Sequence, residues 1–85
     1  MEFKIYEAAY VGCFDGYDPS YEWRYRGTLN IPNILCKFNF TKVYYAKKKL
    51  EEMGMGDKDI FLTKNYKFFC DYEIEQIVRD DKLFI

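Results

Sequence analysis

The sequence predicts an α+β fold in which a small antiparallel sheet of about five strands is packed by one or two helices. Two observations lead to this class. Apolar and polar residues alternate strictly over residues 21–31, and the apolar period then changes to helical spacing after residue 41. The predicted order is β-β-β-α-β-β-α. At 85 residues with 49% hydrophobic content, the chain suits a single compact domain spanning 1–85.

The first two strands are predicted over residues 3–13 and 21–31. Strict alternation in the second is typical of a strand with one buried face and one solvent face. Glu7 falls among the apolar positions of the first strand, which indicates either a nearby bulge or a place at the edge of the core. Turn residues at 15–20 predict that the two strands pair as a hairpin.

A third strand is predicted over residues 34–40, where alternation places Phe38 and Phe40 on the buried face. The following apolar residues recur at helical spacing, which predicts a helix. Thr41 is the expected N-cap of this helix and Gly54 its C-cap.

The C-terminal third predicts three further elements. A short strand is expected at 60–63, a second one at 66–70, and a helix at 72–80 with Asp71 as its cap. The hydrophobic tail 82–85 is expected to dock on the body of the domain.

Cysteine and histidine usage excludes several kinds of chemistry. The chain has no histidine, and Cys13, Cys36 and Cys70 are far apart and odd in number. This pattern argues against a zinc site, a secreted disulfide scaffold and a Ser–His or Cys–His catalytic centre. We expect no enzyme activity and no cofactor, with the cysteines acting as buried small hydrophobes in the reducing cytoplasm. No signal peptide or membrane-length apolar run is visible, so no membrane partner is expected.

Aromatic residues are unusually frequent: nine Tyr, eight Phe and one Trp. Phe needs no polar partner and should occupy the interior first, so several Tyr are expected at the surface, where Tyr is typical of recognition sites. An AT-rich genome explains part of this composition. Small size and missing catalytic residues suit a phage or mobile-element product that inhibits host defence, such as an anti-CRISPR protein.

The predicted partner-binding surface is the outer face of the first hairpin. Pairing of the first two strands should bring aromatic and charged side chains together there, namely Tyr6, Tyr10, Glu22, Arg24 and Arg26. Tyr and Arg on a rigid sheet are the residue types that dominate interface hot spots. The first functional hypothesis is therefore a non-enzymatic protein that binds and inhibits a partner protein.

Two alternatives come from other residue types. A small nucleic-acid-binding regulator would use the helix 42–53 through Lys42, Lys47, Lys48 and Lys49. Placing Phe38 and Phe40 in the core weakens that hypothesis, because stacking needs aromatics beside the cations. A metal-dependent carboxylate enzyme would use Asp15, Asp18 and Glu22, or Asp57 and Asp59. A homodimer is compatible with all three hypotheses.

Overall fold

A computed structural model of the chain describes residues 1–12, 20–65 and 69–85. Its elements are strands β1 (Glu2–Gly12) and β2 (Ser20–Asn30), a 3₁₀ turn (Asn33–Lys37), helix α1 (Asn39–Glu52), strand β3 (Ile60–Thr63) and helix α2 (Asp71–Arg79). The predicted α+β class is confirmed. The prediction of five strands is wrong, because over these described ranges the sheet has three strands and the order is β-β-α-β-α.

Strand β1 lies in the centre of an antiparallel sheet with the order β2-β1-β3. It pairs with β2 along the predicted hairpin and with β3 from Lys4 to Glu7. The predicted turn between β1 and β2 lies outside the described residues, apart from Ser20 at the start of β2.

The C-terminal tail docks on the body of the domain, as the sequence predicts, and the structure places it along the outer edge of β3. The Leu62 N–H donates to the Leu83 carbonyl at 2.6 Å, and the Ile85 N–H donates to the Leu62 carbonyl at 3.0 Å. These bonds satisfy backbone groups that an edge strand would otherwise leave without protein partners.

A β-bulge in β2 changes which side chains point to each face of the sheet. Ile5 lies opposite Gly27 and Tyr6 lies opposite Tyr25, so Arg26 is one extra residue in β2. Gly27 has a φ of 122°, which favours glycine because it has no Cβ. The inserted residue reverses the alternation, and the two halves of β2 therefore direct their apolar side chains to opposite faces.

The two faces of the sheet carry separate cores. Face A is the side of β1 that carries Phe3 and Ile5, and it packs against α1. Its buried residues are Phe3, Ile5, Leu29, Ile31, Ala46, Leu50, Ile60 and Leu62. Face B is the opposite side and packs against α2, with buried residues Tyr6, Ala8, Phe61, Phe69, Ile74 and Ile77. The prediction that residues 21–31 share one buried face is therefore wrong.

The strand predicted over residues 34–40 is absent from the structure. This segment forms the 3₁₀ turn and the start of α1, because local hydrogen bonds satisfy its backbone. The Leu35 N–H donates to the Pro32 carbonyl at 2.9 Å. The Thr41 hydroxyl lies 2.6 Å from the Leu35 carbonyl oxygen and 2.9 Å from that of Phe38, which is the N-cap residue in place of Thr41.

The C-cap of α1 is Met53 rather than Gly54, although Gly54 follows it directly with a φ of 79°. Such a left-handed glycine is the common way to terminate a helix. The predicted strand at 66–70 is described only at Phe69 and Cys70, and neither belongs to a strand.

The start of α2 corrects two predictions. Cys70, rather than Asp71, is the N-cap, and its N–H donates to the Glu73 carboxylate at 3.1 Å. Cys70 is also exposed, so it is not the buried hydrophobe that was expected. Cys36 is half-buried against the face A core, and Cys13 lies outside the described residues.

Over the ranges that the structure describes, no helix combines the length and the hydropathy that crossing a bilayer requires.

We predict that Gly27→Ala lowers the free energy of unfolding by about 1–3 kcal/mol, because an alanine is strained at this φ. The cost should come from the backbone alone, since a Cβ built at Gly27 meets no described atom within 4 Å. Urea denaturation should show the loss, and Thr28→Ala at the exposed neighbouring position is the control. Equal stability of the two variants would contradict a bulge that depends on glycine.

Candidate interaction surface

The predicted Tyr/Arg surface loses Tyr6, which is fully buried rather than on a solvent face. Its ring lies 4.0 Å, centroid to centroid, from that of Trp23 and 5.7 Å from that of Phe61. The physical reason is that α2 covers face B, so the central strand is buried on both sides. The expectation of a partner-binding role for Tyr6 at the surface is therefore wrong.

The other members of that surface are divided between the two faces. Tyr10 lies opposite Tyr21 on face B and is exposed. Glu22 and Arg24 point to face A, where their charged groups lie 3.6 Å apart and both side chains are more than half exposed. A single partner surface that includes Tyr10, Glu22 and Arg24 is not formed on one face of the hairpin.

Arg26 has a structural contact within the chain. Its Nε donates to the Glu7 carboxylate at 2.6 Å, and the Lys58 Nζ lies 3.4 Å from the other carboxylate oxygen. Glu7 is only 9% exposed. The hydrogen bond and charge of Arg26, with Lys58, lower the pKa of Glu7, although burial acts in the opposite direction. Glu7 thus lies both beside a bulge and at the edge of a core.

The lysines of the alternative nucleic-acid site lie along α1 but have different surroundings. The Lys42 Nζ lies 4.4 Å from the ring centroid of Phe84. The Lys49 Nζ lies 5.6 Å from that of Tyr45 and 3.4 Å from the Glu52 carboxylate. Lys47 and Lys48 are exposed. Two of the four lysines therefore pack on aromatic rings of the chain itself.

Four exposed apolar side chains lie on the segment that forms the 3₁₀ turn and the start of α1, and we call them the aromatic face. Its members are exposed by 60% to 73% and are Ile34, Phe38, Phe40 and Tyr44. The rings of Phe38 and Phe40 lie 5.8 Å apart. Phe40 and Tyr44 also line one groove, so three of the four side chains lie beside one another, and clustered exposed apolar side chains often mark an interaction site.

The core of the domain does not require these side chains. Helix α1 buries only Ala46 and Leu50, and it is anchored to face A through them. Phe40 and Tyr44 are four residues apart, so they lie on one stripe of the helix that turns away from the sheet. The aromatic face is therefore a surface property of α1 and contributes little to folding.

A groove of about 690 Å³ lies beside the aromatic face. Its lining combines apolar and aromatic side chains with two lysines and one carboxylate and consists of Leu35, Phe40, Thr41, Tyr44, Tyr45, Lys48, Lys49 and Glu52. Such a groove can accept an apolar side chain of a partner, while its lysines attract a carboxylate.

Charge is unevenly distributed between the two helices. Helix α1 (Asn39–Glu52) contains four lysines and two glutamates, whereas α2 (Asp71–Arg79) contains three carboxylates and one arginine. Because α1 packs on face A and α2 on face B, the aromatic face lies on the positive side of the domain. The near-zero net charge of the whole chain hides this separation.

The sequence reasoning missed the aromatic face because residues 34–40 also fit a strand pattern. The same residues contain a helical signal: Ile34 and Phe38 are four residues apart, and Phe40, Tyr44 and Lys48 continue at that spacing. This helical spacing predicts that Phe40, Tyr44 and Lys48 lie together on one surface.

The carboxylates of the alternative enzyme hypothesis lie apart from any metal-binding cluster. Asp57 and Asp59 are exposed, and the described part of the chain holds no group of three or more His, Cys, Asp or Glu residues that could bind a metal ion. Asp15 and Asp18 lie outside the described residues.

Comparison with protein-family models, curated proteins and solved structures finds no match to this chain.

We predict that Glu7→Gln destabilises the fold at neutral pH by about 1–2 kcal/mol, because it removes a charge-assisted hydrogen bond. The folded-state pKa of Glu7 lies below its ordinary value of 4.5. The contribution of the charged carboxylate is therefore complete above that pH and is lost as pH falls through the folded-state pKa. Urea denaturation from neutral to acidic pH should show the two proteins converging at the acid end.

The matched control is Glu52→Gln, which removes a carboxylate from an exposed pair with Lys49 and should change stability little at any pH. A difference between wild type and Glu7→Gln that does not change with pH would contradict this role of the ionised carboxylate.

Proposed function

We propose that this protein is a non-enzymatic binding protein that uses the aromatic face to cover a surface of a partner protein. By covering that surface it inhibits the partner, in the way a phage or mobile-element inhibitor of host defence, such as an anti-CRISPR protein, would act. The observation that carries the proposal is the exposure of Ile34, Phe38, Phe40 and Tyr44 outside the core, with the last three beside one another.

Exposure of apolar rings to water is unfavourable in free energy, and a partner that buries the rings removes this unfavourable contribution. Burying apolar surface contributes about 25 cal/mol per Å², and aromatic side chains dominate hot spots because they lose little side-chain entropy. Phe40 and Tyr44 project from a regular helix, so their positions are largely fixed before binding. A preorganised surface loses less entropy on association.

The chemistry of the partner follows from the groove and the charges around it. Lys48 and Lys49 line the groove, and the one carboxylate in its lining, Glu52, lies 3.4 Å from the Lys49 Nζ. The complementary surface is an acidic one with at least one projecting apolar side chain. The aromatic rings would form the centre of the interface and the lysines its rim.

A protein partner fits better than a nucleic acid for two reasons. Ile34 is one of the most exposed members of the patch, and an aliphatic side chain offers no ring for a base to stack on. Lys42 and Lys49 already pack on Phe84 and Tyr45, which leaves fewer cations to neutralise phosphates. Exposed aromatics beside Lys48 nevertheless make nucleic-acid binding the alternative that an experiment must separate.

We predict that a photo-crosslinking amino acid at position 44 captures a specific partner in a lysate of a low-GC bacterium, whereas the same group at position 72 does not. Tyr44 and Tyr72 are matched controls, since they are 72% and 69% exposed and lie on helices packed against opposite faces. The crosslinked protein is identified by mass spectrometry and then produced for direct binding measurements.

Direct binding should weaken at least tenfold in Phe40→Ala combined with Tyr44→Ala, because loss of two hot-spot rings removes more than about 1.4 kcal/mol. Tyr72→Ala should bind as wild type does, and all variants should keep wild-type circular dichroism. Capture of the same protein from positions 44 and 72, or unchanged affinity of the folded double variant, contradicts the proposal.

The alternative is tested with a fluorescent single-stranded oligonucleotide. On our proposal the wild-type protein does not bind it at moderate salt. Binding that falls steeply with salt and is lost in Lys47→Glu with Lys48→Glu would favour the nucleic-acid function instead.

A further inference from the structure

The outer edge of the hairpin has a self-complementary sequence. Strand β2 lies at one edge of the sheet among the described strands, and its segment 21–25 reads Tyr-Glu-Trp-Arg-Tyr. An aromatic residue stands at each end and in the middle, with one acid and one base between them. When the segment is read in reverse, the aromatic residues keep their positions and the acidic and basic residues exchange places.

We infer that β2 pairs with β2 of a second copy of this chain, antiparallel and with the two-fold axis at Trp23. In this register Glu22 lies opposite Arg24 of the second copy, and the same pair forms again on the other side of the axis. Tyr21 lies opposite Tyr25 of the second copy. Opposite charges and aromatic pairs directly across two antiparallel strands are both stabilising.

Other registers are disfavoured by the same charges. With the axis at position 22, Glu22 lies opposite Glu22 of the second copy. With the axis at position 24, Arg24 lies opposite Arg24 of the second copy. Like charges directly opposite destabilise a strand pair. The bulge at Arg26 and Gly27 interrupts regular pairing beyond Tyr25, which confines the ladder to this short segment.

The charged side chains of these pairs are accessible on face A, whereas Tyr21 and Tyr25 lie on face B. Glu22 and Arg24 are 57% and 51% exposed, and the 3.6 Å pair they form within one chain is weak enough to be shared with a second copy. Helix α1 packs on the other half of the hairpin, around Phe3 and Leu29, so the aromatic face stays open in the dimer. The dimer is therefore independent of the proposed partner binding.

The test is a charge exchange followed by sedimentation velocity over a range of concentrations. Wild type is expected to show a reversible species of twice the 10.3 kDa chain mass. Glu22→Arg alone and Arg24→Glu alone each place like charges opposite in both pairs, and each should weaken self-association at least tenfold. The combined variant restores both opposite-charge pairs and should return to the wild-type dissociation constant.

Mixing the two single variants provides a second test, since each then supplies the charges that the other lacks. The mixture should form a heterodimer although neither variant forms a homodimer, and a mass-labelled chain distinguishes the species by native mass spectrometry. Arg79→Glu is the matched control, because it reverses an exposed arginine that pairs with Glu75 on α2. It should dimerise as wild type does.

A wild-type protein that stays at 10.3 kDa up to its highest soluble concentration would overturn the inference. So would single variants that dimerise as tightly as wild type, or a combined variant that fails to recover while remaining folded.

Discussion

The bulge at Arg26 and Gly27 allows one long hairpin to supply apolar side chains to both faces of a three-stranded sheet. A β2 without the bulge would direct Leu29 to the same face as Trp23, and the face A core would lose that side chain. With the bulge, Leu29 packs under α1, while Trp23 packs toward α2. The extra residue also carries the guanidinium that pairs with Glu7, so the irregular backbone and the half-buried charge stabilise each other.

Much of the fold could be predicted because its elements have local signatures. The hairpin, β3, both helices and the docked tail each follow from the apolar period or turn and cap residues. The alternation of apolar and polar residues could not predict that β2 contributes to two cores. The inserted residue Arg26 moves the following apolar side chains to the other face of the sheet, but the alternation in the sequence continues unchanged. Gly27 inside a strand and Glu7 among apolar positions were the only signs of this insertion.

The exposed surface was harder to predict than the fold. A pattern of apolar residues does not show which of those side chains another element of the fold will bury. Residues 34–40 fit both a strand, with Phe38 and Phe40 inside, and a helical start that exposes them. Local hydrogen bonds of the 3₁₀ turn and Thr41 select the second arrangement. Tyr6 shows the converse, because an outward position in a hairpin becomes interior once α2 packs over it.

The opposite charges of α1 and α2 affect how the domain approaches a charged partner by diffusion, before the two surfaces are in contact. A domain with net charge −1 experiences almost no net force from a charged macromolecule, but its separated charges give it a dipole across the sheet. The electric field of an acidic partner exerts a torque on this dipole. The torque rotates the domain so that α1 faces the partner before the two surfaces touch. Such orientation raises the productive fraction of collisions, and added salt shortens the distance over which it acts.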